Sequence, residues 1–210
     1  MAVVSLAGQA YLADLDLKTG VALSCSHAMQ PQEIRHVDSI DWKTWKPTEY
    51  ANLCFIIRDD QILLIRKKRG LGAGKINGPG GRLEPGETAL QAAIRETQEE
   101  VGVTPLRLEQ IGELHFDFVD GYKLHAAVFA AEDCEGVLRE TDEATPLWVN
   151  VNQIPYHEMW QDDPLWIPLL LQRNKFSGYF MFDCEQMLNH HIDNQDKTYL
   201  FDKSLPYNAL

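Results

Sequence analysis

The chain has 210 residues, of which 45% are hydrophobic, and a formal net charge of −12. This length and hydrophobic content suit one domain with a substantial core. The negative charge argues against binding to duplex nucleic acid, which needs a basic surface, and a polyphosphate ligand would need a divalent metal ion to mediate. The first residues, MAVVSLAGQA, form neither a signal peptide nor a membrane span, so we expect a cytoplasmic protein without a membrane anchor.

The first 45 residues are predicted to be an N-terminal extension. Within it, Ala10–Leu17 and Gly20–Cys25 favour a hairpin about Lys18-Thr19. The sequence leaves three roles open for this extension: it packs on the main domain, pairs with another chain, or covers the functional site.

Two apolar runs, Leu53–Arg58 and Gln61–Lys67, follow and predict strands joined by a two-residue turn at Asp59-Asp60. The segment from Lys67 to Gly86 contains seven glycines and predicts a loop whose backbone can approach a ligand closely.

A helix is predicted directly after this loop. Thr88 and Gln91 form a capping box, and Gly102 is the expected left-handed residue at the helix end. The apolar positions of this helix predict a buried stripe made of Leu90, Ala93, Ile94, Thr97 and Val101, with the glutamates on a different face.

The later part of the chain predicts further elements. These are strands at His115–Val119 and Lys123–Ala131 about a type I′ turn at Asp120-Gly121, a strand at Leu147–Val151, and a buried helix at Pro168–Gln172. Residues 184–210 show no clear pattern and are predicted to be a C-terminal tail.

Glu96, Glu99 and Glu100 stand at i, i+3 and i+4, so their carboxylates crowd one side of the predicted helix. Such a cluster is expected where Mg²⁺ neutralises it, because Mg²⁺ takes oxygen ligands and is usually shared with substrate phosphates. A solvated acidic surface is the alternative, but it would normally interleave lysines to relieve the repulsion. The pattern therefore predicts metal-assisted attack on a phosphate ester or anhydride.

The segment GRLEPGETALQAAIRETQEEVGV, residues 81–103, resembles the Nudix box. Its matching positions are Gly81, Glu87, Arg95, Glu96, Glu99, Glu100, Gly102 and Val103, and it departs at Thr97, where the family prefers an aliphatic residue. The stretches 67–87, 115–118 and 159–180 resemble the animal-type 8-oxo-dGTP diphosphatases within that family. The resemblance covers residues 50–183 and implies an α/β/α sandwich with a mixed sheet, which we assign to a domain at 46–183 between the extension and the tail.

This resemblance implies hydrolysis of oxidised purine nucleoside triphosphates to the monophosphate and pyrophosphate. Mg²⁺, with Mn²⁺ as a possible substitute, would be held by the Gly81 carbonyl and by four carboxylates, those of Glu96, Glu99, Glu100 and Glu143. Arg95 would orient Glu87 or a ligating carboxylate. Glu99, Glu100 or Glu143 would accept the proton of the attacking water, and the sequence does not choose among them.

The resemblance also implies a base pocket. Asn77, Asp162 and Asp163 would read the purine edge, and Trp160 would stack on its face. Lying between Trp160 and Trp166, the two aspartates should have raised pKa values and hold a proton, although they could instead be the N-terminus of a helix. The other expected pocket residues are Lys67, Leu71, Asn52 and Phe116, with Phe118 turned to the core or to solvent and Trp166 in the core.

Several pocket positions depart from the family pattern, namely Leu71, Ile76, Gln161 and Asn52. The preferred nucleotide therefore stays open. Two alternatives remain, a Nudix pyrophosphatase for another nucleotide (a dinucleotide polyphosphate, a nucleotide sugar, capped RNA or a methylated purine triphosphate) and a Nudix domain kept as a ligand sensor. We expect a monomer or a homodimer whose partner is a small nucleotide.

Overall fold

The computed structural model describes residues 36–194, and in this part of the chain it has ten strands and two α-helices. The strands are β1 (Glu49–Arg58), β2 (Gln61–Lys67), β3 (Ile76–Asn77), β4 (Val103–Leu106), β5 (Glu109–Phe118), β6 (Lys123–Ala131), β7 (Asp133–Gly136), β8 (Ala144–Asn150), β9 (Phe176–Asp183) and β10 (Gln186–Asn194). The helices are α1 (Ala89–Val101) and α2 (Asp163–Leu171). Short 3-10 helices lie at Val37–Ser39, Val151–Gln153 and Tyr156–Glu158.

The central sheet is mixed. Its strand order is β10-β9-β5-β6-β1-β2-β3. Strands β1 and β3 pair with successive parts of one edge of β2, and β8 pairs with the opposite edge. The pairs β1–β6 and β5–β9 are parallel and the others are antiparallel. A separate two-stranded sheet joins β4 to β7.

The two helices cover opposite faces of the central sheet. Successive residues of a strand point to opposite faces, and Cys54 packs in a cluster with Ala93 of α1, whereas Phe55 packs with Trp166 of α2. Both β1 side chains are fully buried, and burial raises the pKa of the Cys54 thiol to about 12. The predicted α/β/α sandwich with a mixed sheet is confirmed.

The two predicted turns differ in outcome. Asp59 and Asp60 both have positive φ, 49° and 59°, as a type I′ turn requires, so the first hairpin forms as predicted. At Asp120-Gly121 only the glycine has positive φ, 92°, and its N–H donates to the Phe118 carbonyl. The prediction of type I′ there is wrong, because Gly121 takes the left-handed position that follows the turn.

Helix α1 begins and ends as predicted. Thr88 and Gln91 form the capping box, and Gly102 ends the helix at φ 80°. The predicted stripe needs two corrections. Leu90 is 45% exposed, because the buried face is centred on Ala93 and Glu100 and Leu90 lies at its border. Glu100 is thus buried together with Ala93 and Val101.

The remaining elements extend the predicted ones. The β8 strand covers the expected strand except Val151, and α2 covers the expected helix except Gln172, its C-cap, whereas β9 and β10 were not predicted. Residues 186–194 of the predicted tail thus continue the sheet, and Trp45 of the predicted extension donates through Nε1 to Asp117 Oδ2 at 2.9 Å. The domain boundaries stay a prediction, and the hairpin about Lys18-Thr19 lies outside the described residues.

No helix within residues 36–194 is long and apolar enough to span a membrane.

The capping box predicts a measurable stability effect. Thr88→Ala removes the hydroxyl that accepts the Gln91 N–H, so the free energy of unfolding should fall by about 1 kcal/mol in a urea titration. Thr88→Ser keeps the hydroxyl and serves as the matched control. Equal stability of the two variants would contradict this role for the cap.

Candidate active site

Arg95 is the centre of an ion-pair network on α1. Its Nε and one terminal nitrogen donate to both Glu87 oxygens at 2.9 and 2.8 Å, and the other terminal nitrogen donates to Glu96 at 2.8 Å and Glu99 at 3.0 Å. These bonds lower the pKa of Glu87 and raise that of Arg95. The planar guanidinium thereby fixes the orientation of three carboxylates, including the one that precedes the helix.

Three carboxylates approach one another beside this network. Glu96, Glu100 and Glu143 each offer an oxygen, and these oxygens lie within 4.8 Å of one another. We call these three residues the acidic cluster. Glu99 is not part of it, and its side chain is 55% exposed, against 14% for that of Glu96.

Glu100 is the most buried member of the acidic cluster, with 2% exposure. Its Oε2 accepts the Gly80 N–H at 2.8 Å, and Lys67 Nζ lies 3.5 Å from Oε1. Desolvation raises the pKa of Glu100, and these two contacts oppose the rise only in part. The buried carboxylate therefore gains from any further positive charge in the cluster.

Glu143 reaches the acidic cluster from the loop before β8. Its backbone N–H donates to the Thr141 hydroxyl at 3.2 Å, and that hydroxyl donates to the Glu100 carbonyl at 2.8 Å. Arg69 forms an ion pair with the Glu143 carboxylate. The loop is thus attached to the end of α1, which holds Glu143 next to the other two glutamates.

Gly81 and Asn52 lie next to the acidic cluster, where Gly81 approaches Glu96. A Cβ at Gly81 would lie 2.5 Å from the Glu96 carboxylate, so only glycine permits this approach. The Gly81 carbonyl accepts from the Asn52 backbone N–H at 2.9 Å and from Asn52 Nδ2 at 3.1 Å. Asn52, an expected residue of the base pocket, thus contacts the carbonyl that is expected to bind the metal. Its Oδ1 is buried without a hydrogen-bond partner.

Asp162 and Asp163 form a buried pair at the start of α2, each 2% exposed. Asp162 Oδ2 accepts from Trp166 Nε1 at 2.9 Å, and Asp163 Oδ2 accepts from the Trp160 backbone N–H at 2.9 Å. Asp162 Oδ1 is buried without a partner. Desolvation raises the pKa of Asp162 to about 6, and desolvation together with the neighbouring carboxylate raises the pKa of Asp163 well above its ordinary value. Both interpretations of the sequence therefore hold, since the pair lies at the N-terminus of α2 and also has raised pKa values.

Trp160 lies next to this pair, on the face of the sheet that α2 covers. Its ring contacts Phe182 edge-on at 5.8 Å, and Lys75 Nζ lies 5.1 Å from the ring centroid. Phe116 stacks on Phe180 at 5.3 Å and also contacts Phe182. Phe118 is 4% exposed and lies in the core, as expected, but it does not face away from Phe116, because residues i and i+2 of a strand share a face.

The other expected pocket residues lie around the loop between β2 and α1. Asn77 is in β3, and its Oδ1 accepts the Gly78 N–H at 2.8 Å. Leu71 is half-buried in the same loop, next to Gly72, where a Cβ would lie 2.9 Å from Trp160 Nε1. Trp166 is fully buried, as expected.

Sequence reasoning missed two basic contacts in this region. Arg69 pairs with Glu143, and Lys75 covers the Trp160 ring. Both residues belong to the glycine-rich loop, whose local sequence predicts flexibility and gives no sign of which side chains it brings to the site.

Residues 47–170 match the family model described as NUDIX domain, which is more than half of the chain. The chain belongs to the NUDIX family. The predicted membership is therefore confirmed, and α1 with the preceding loop is its Nudix box.

Named relatives of this Nudix chain include an oxidized purine nucleoside triphosphate hydrolase of Danio rerio. It is 43% identical over 145 residues, which are 69% of this chain and 93% of that protein. The Mus musculus protein of the same name is 38% identical over 146 residues, 69% of this chain and 94% of its own. Among solved structures, a mutator MutT protein from Bacillus halodurans has a TM-score of 0.63 at 25% identity and covers 69% of this chain and 97% of its own.

The buried pair of the Nudix chain predicts a pH-dependent stability difference. The unfolded Asp163 carboxyl releases its proton near pH 3.8, and the folded one keeps it to higher pH. Above the unfolded pKa the folded state therefore binds more protons, and its stability falls as pH rises until the folded pKa is passed. Asp163→Asn is neutral at every pH, so it should match the wild type in acid and become the more stable protein toward neutral pH.

Urea titrations from acidic to neutral pH measure this difference. Asp142→Asn, which changes an exposed carboxylate, is the matched control and should show no such trend. A constant offset between Asp163→Asn and the wild type would contradict a raised pKa.

Proposed function

We propose that this protein hydrolyses oxidised purine nucleoside triphosphates, of the 8-oxo-dGTP or 2-hydroxy-dATP type, to the monophosphate and pyrophosphate with Mg²⁺. Such an activity would remove damaged precursors from the nucleotide pool. The observation that carries the proposal is the acidic cluster on the Nudix helix, with oxygens within 4.8 Å of one another. The Danio rerio and Mus musculus relatives, which share most of their length with this chain, support the substrate class by their names.

The acidic cluster fits a hard divalent cation. Its ligand atoms are all carboxylate oxygens, the type that Mg²⁺ and Mn²⁺ take. Glu100 is almost fully buried and has a raised pKa, so a cation would relieve the cost of its charge. Glu96, Glu100 and Glu143 would hold the ion, and the Gly81 carbonyl would join them where the Asn52 side chain releases it.

The ion would neutralise phosphate oxygens and lower the pKa of the attacking water. The chain's own residues position these charges. Arg95 holds Glu96 through one of its terminal nitrogens, and the Gly80 N–H holds Glu100. Lys67, 3.5 Å from Glu100, would contact a phosphate oxygen. Glu100 and Glu143 in the acidic cluster, and Glu99 at its exposed border, are the candidate proton acceptors.

The aspartate pair supplies base recognition in this proposal. A protonated Asp donates a hydrogen bond where an ionised one only accepts, so two carboxyls that share a proton match a purine edge carrying an oxo group. The raised pKa values of Asp162 and Asp163 support this state. Trp160 would stack on the base. Phe116 lies on the same face, and Phe182 contacts both of these rings. Asn77 would donate its amide to the purine edge.

The partner in this proposal is a small nucleotide, and the net charge of −12 supports that choice over duplex nucleic acid. A monomeric or homodimeric state and a cytoplasmic location stay predictions from the sequence.

Substitution in the acidic cluster tests the chemistry. Glu100→Gln removes a buried anionic ligand and should lower kcat for 8-oxo-dGTP by at least about 100-fold in steady-state assays with Mg²⁺. The same loss is expected for Glu99→Gln if this glutamate is the proton acceptor. Glu135→Gln, on an exposed position of β7, is the control. Near-normal turnover of Glu100→Gln would refute the assignment.

Substitution in the aspartate pair tests the substrate class. Asp162→Asn or Asp163→Asn fixes one carboxyl in a neutral form that cannot exchange its proton, so kcat/KM should fall far more for oxidised purine triphosphates than for pyrimidine triphosphates. The assay is pyrophosphate release over a panel that includes 8-oxo-dGTP and unmodified dGTP. An equal loss for all bases would show that the pair is structural.

A further inference from the structure

A second group of potential metal ligands lies in the central sheet, away from the acidic cluster. Glu113 and His115 stand at i and i+2 of β5, so they share a face, and His125 of β6 pairs directly opposite His115. Each of the three offers one ligand atom, and these atoms lie within 4.8 Å of one another. We call these residues the histidine cluster.

In the histidine cluster, two ligand groups are in direct contact and the ring of the third is oriented by a backbone carbonyl. His125 Nε2 lies 2.9 Å from Glu113 Oε2, so two of the three ligand groups meet directly. His115 Nδ1 lies 3.3 Å from the Gly178 carbonyl of β9, which can only accept, so this nitrogen carries the proton. His115 Nε2 then keeps its lone pair. A histidine that donates from one ring nitrogen to a carbonyl and ligates with the other is the usual arrangement in metal sites.

Aromatic side chains enclose the cluster on several sides. The His115 ring stacks on Tyr179 at 4.8 Å, and Trp42 and Trp45 contact it at 5.9 and 5.5 Å. Tyr50 contacts the His125 ring at 5.6 Å. All three cluster members are half-buried, so the site is shielded yet open to a small ion.

We propose that Glu113, His115 and His125 form a binding site for a divalent transition-metal ion, with Zn²⁺ the ion that the donors favour. Two imidazoles and one carboxylate are a known three-ligand set for zinc, with water in the fourth position. A tetrahedral zinc ion keeps its ligand atoms about 3.4 Å apart, so small side-chain rotations bring these groups into place.

The donor chemistry separates this site from the acidic cluster. The acidic cluster offers only oxygens and suits Mg²⁺, whereas imidazole nitrogens select zinc, cobalt, nickel or copper. An ion in the histidine cluster would join β5 to β6 beneath Trp42 and Trp45, and would stabilise the fold through binding to the native state alone.

Cobalt is the probe, because Co²⁺ replaces Zn²⁺ and absorbs visible light strongly when its ligands are tetrahedral. The full chain is treated with EDTA, exchanged into excess Mg²⁺ to occupy oxygen sites, and titrated with Co²⁺. We expect visible absorption that saturates at one equivalent and disappears on addition of Zn²⁺. Quenching of tryptophan fluorescence should follow the same curve, because Trp42 and Trp45 lie against His115.

Two variants remove ligands. Glu113→Gln keeps a polar partner for His125 and removes only the anionic ligand, so it tests the site even where His125→Ala fails to fold. Each should weaken Co²⁺ binding by at least about 10-fold. His157→Ala, which changes an 82%-exposed histidine, and Glu100→Gln, in the acidic cluster, should bind Co²⁺ as the wild type does.

The outcomes are distinct. Loss of the absorption in the two ligand variants together with retention in both controls supports the site. Absence of visible absorption in the wild type, unchanged binding in Glu113→Gln, or loss of the absorption in Glu100→Gln would each overturn it. None of these measurements depends on hydrolysis of a nucleotide.

Discussion

The geometry of the site depends on the hydrogen bonds that the Arg95 guanidinium donates. Three glutamates within two helical turns and a fourth before the helix would repel one another in the absence of a cation. Arg95 binds Glu87 with two parallel hydrogen bonds and reaches Glu96 and Glu99 with its remaining nitrogen. A lysine offers a single point of charge and cannot hold three carboxylates in fixed directions. The network therefore fixes the end of the glycine-rich loop against α1. Glu100 and Glu143 approach a Glu96 carboxylate whose orientation Arg95 has set.

Two buried acidic groups, Glu100 and the Asp162–Asp163 pair, have raised pKa values for the same physical reason and suit different tasks. Glu100 lies beside a lysine and a backbone N–H, so its charge is only partly compensated and a metal ion complements it. The aspartates lie among tryptophans, where neutralisation by a proton is the easier solution. One environment favours cation binding and the other favours proton retention, which matches the phosphate end and the base end of a nucleotide.

The sequence predicts features that depend on neighbours along the chain. The capping box at Thr88, the left-handed Gly102 and the two-residue turn at Asp59-Asp60 are local, and each forms as expected. The Nudix pattern likewise fixes the family and the α/β/α fold. The burial of Glu100 escaped prediction, because it depends on Gly80 and Lys67, which reach it through the fold. The contact of His115 with His125 and the β10 strand escaped it too, since strand register and sheet order are not local properties.

The outer strand β10 has a consequence for self-association. An uncovered strand edge is a template on which another chain can add a strand. In residues 36–194, β10 has an irregular register between Met187 and Asn189, and the Asn189 side chain accepts the N–H of Val37 from the preceding 3-10 helix. Exposed His190 and His191 add polar groups along the same strand. Such an edge resists the addition of a further strand along β10.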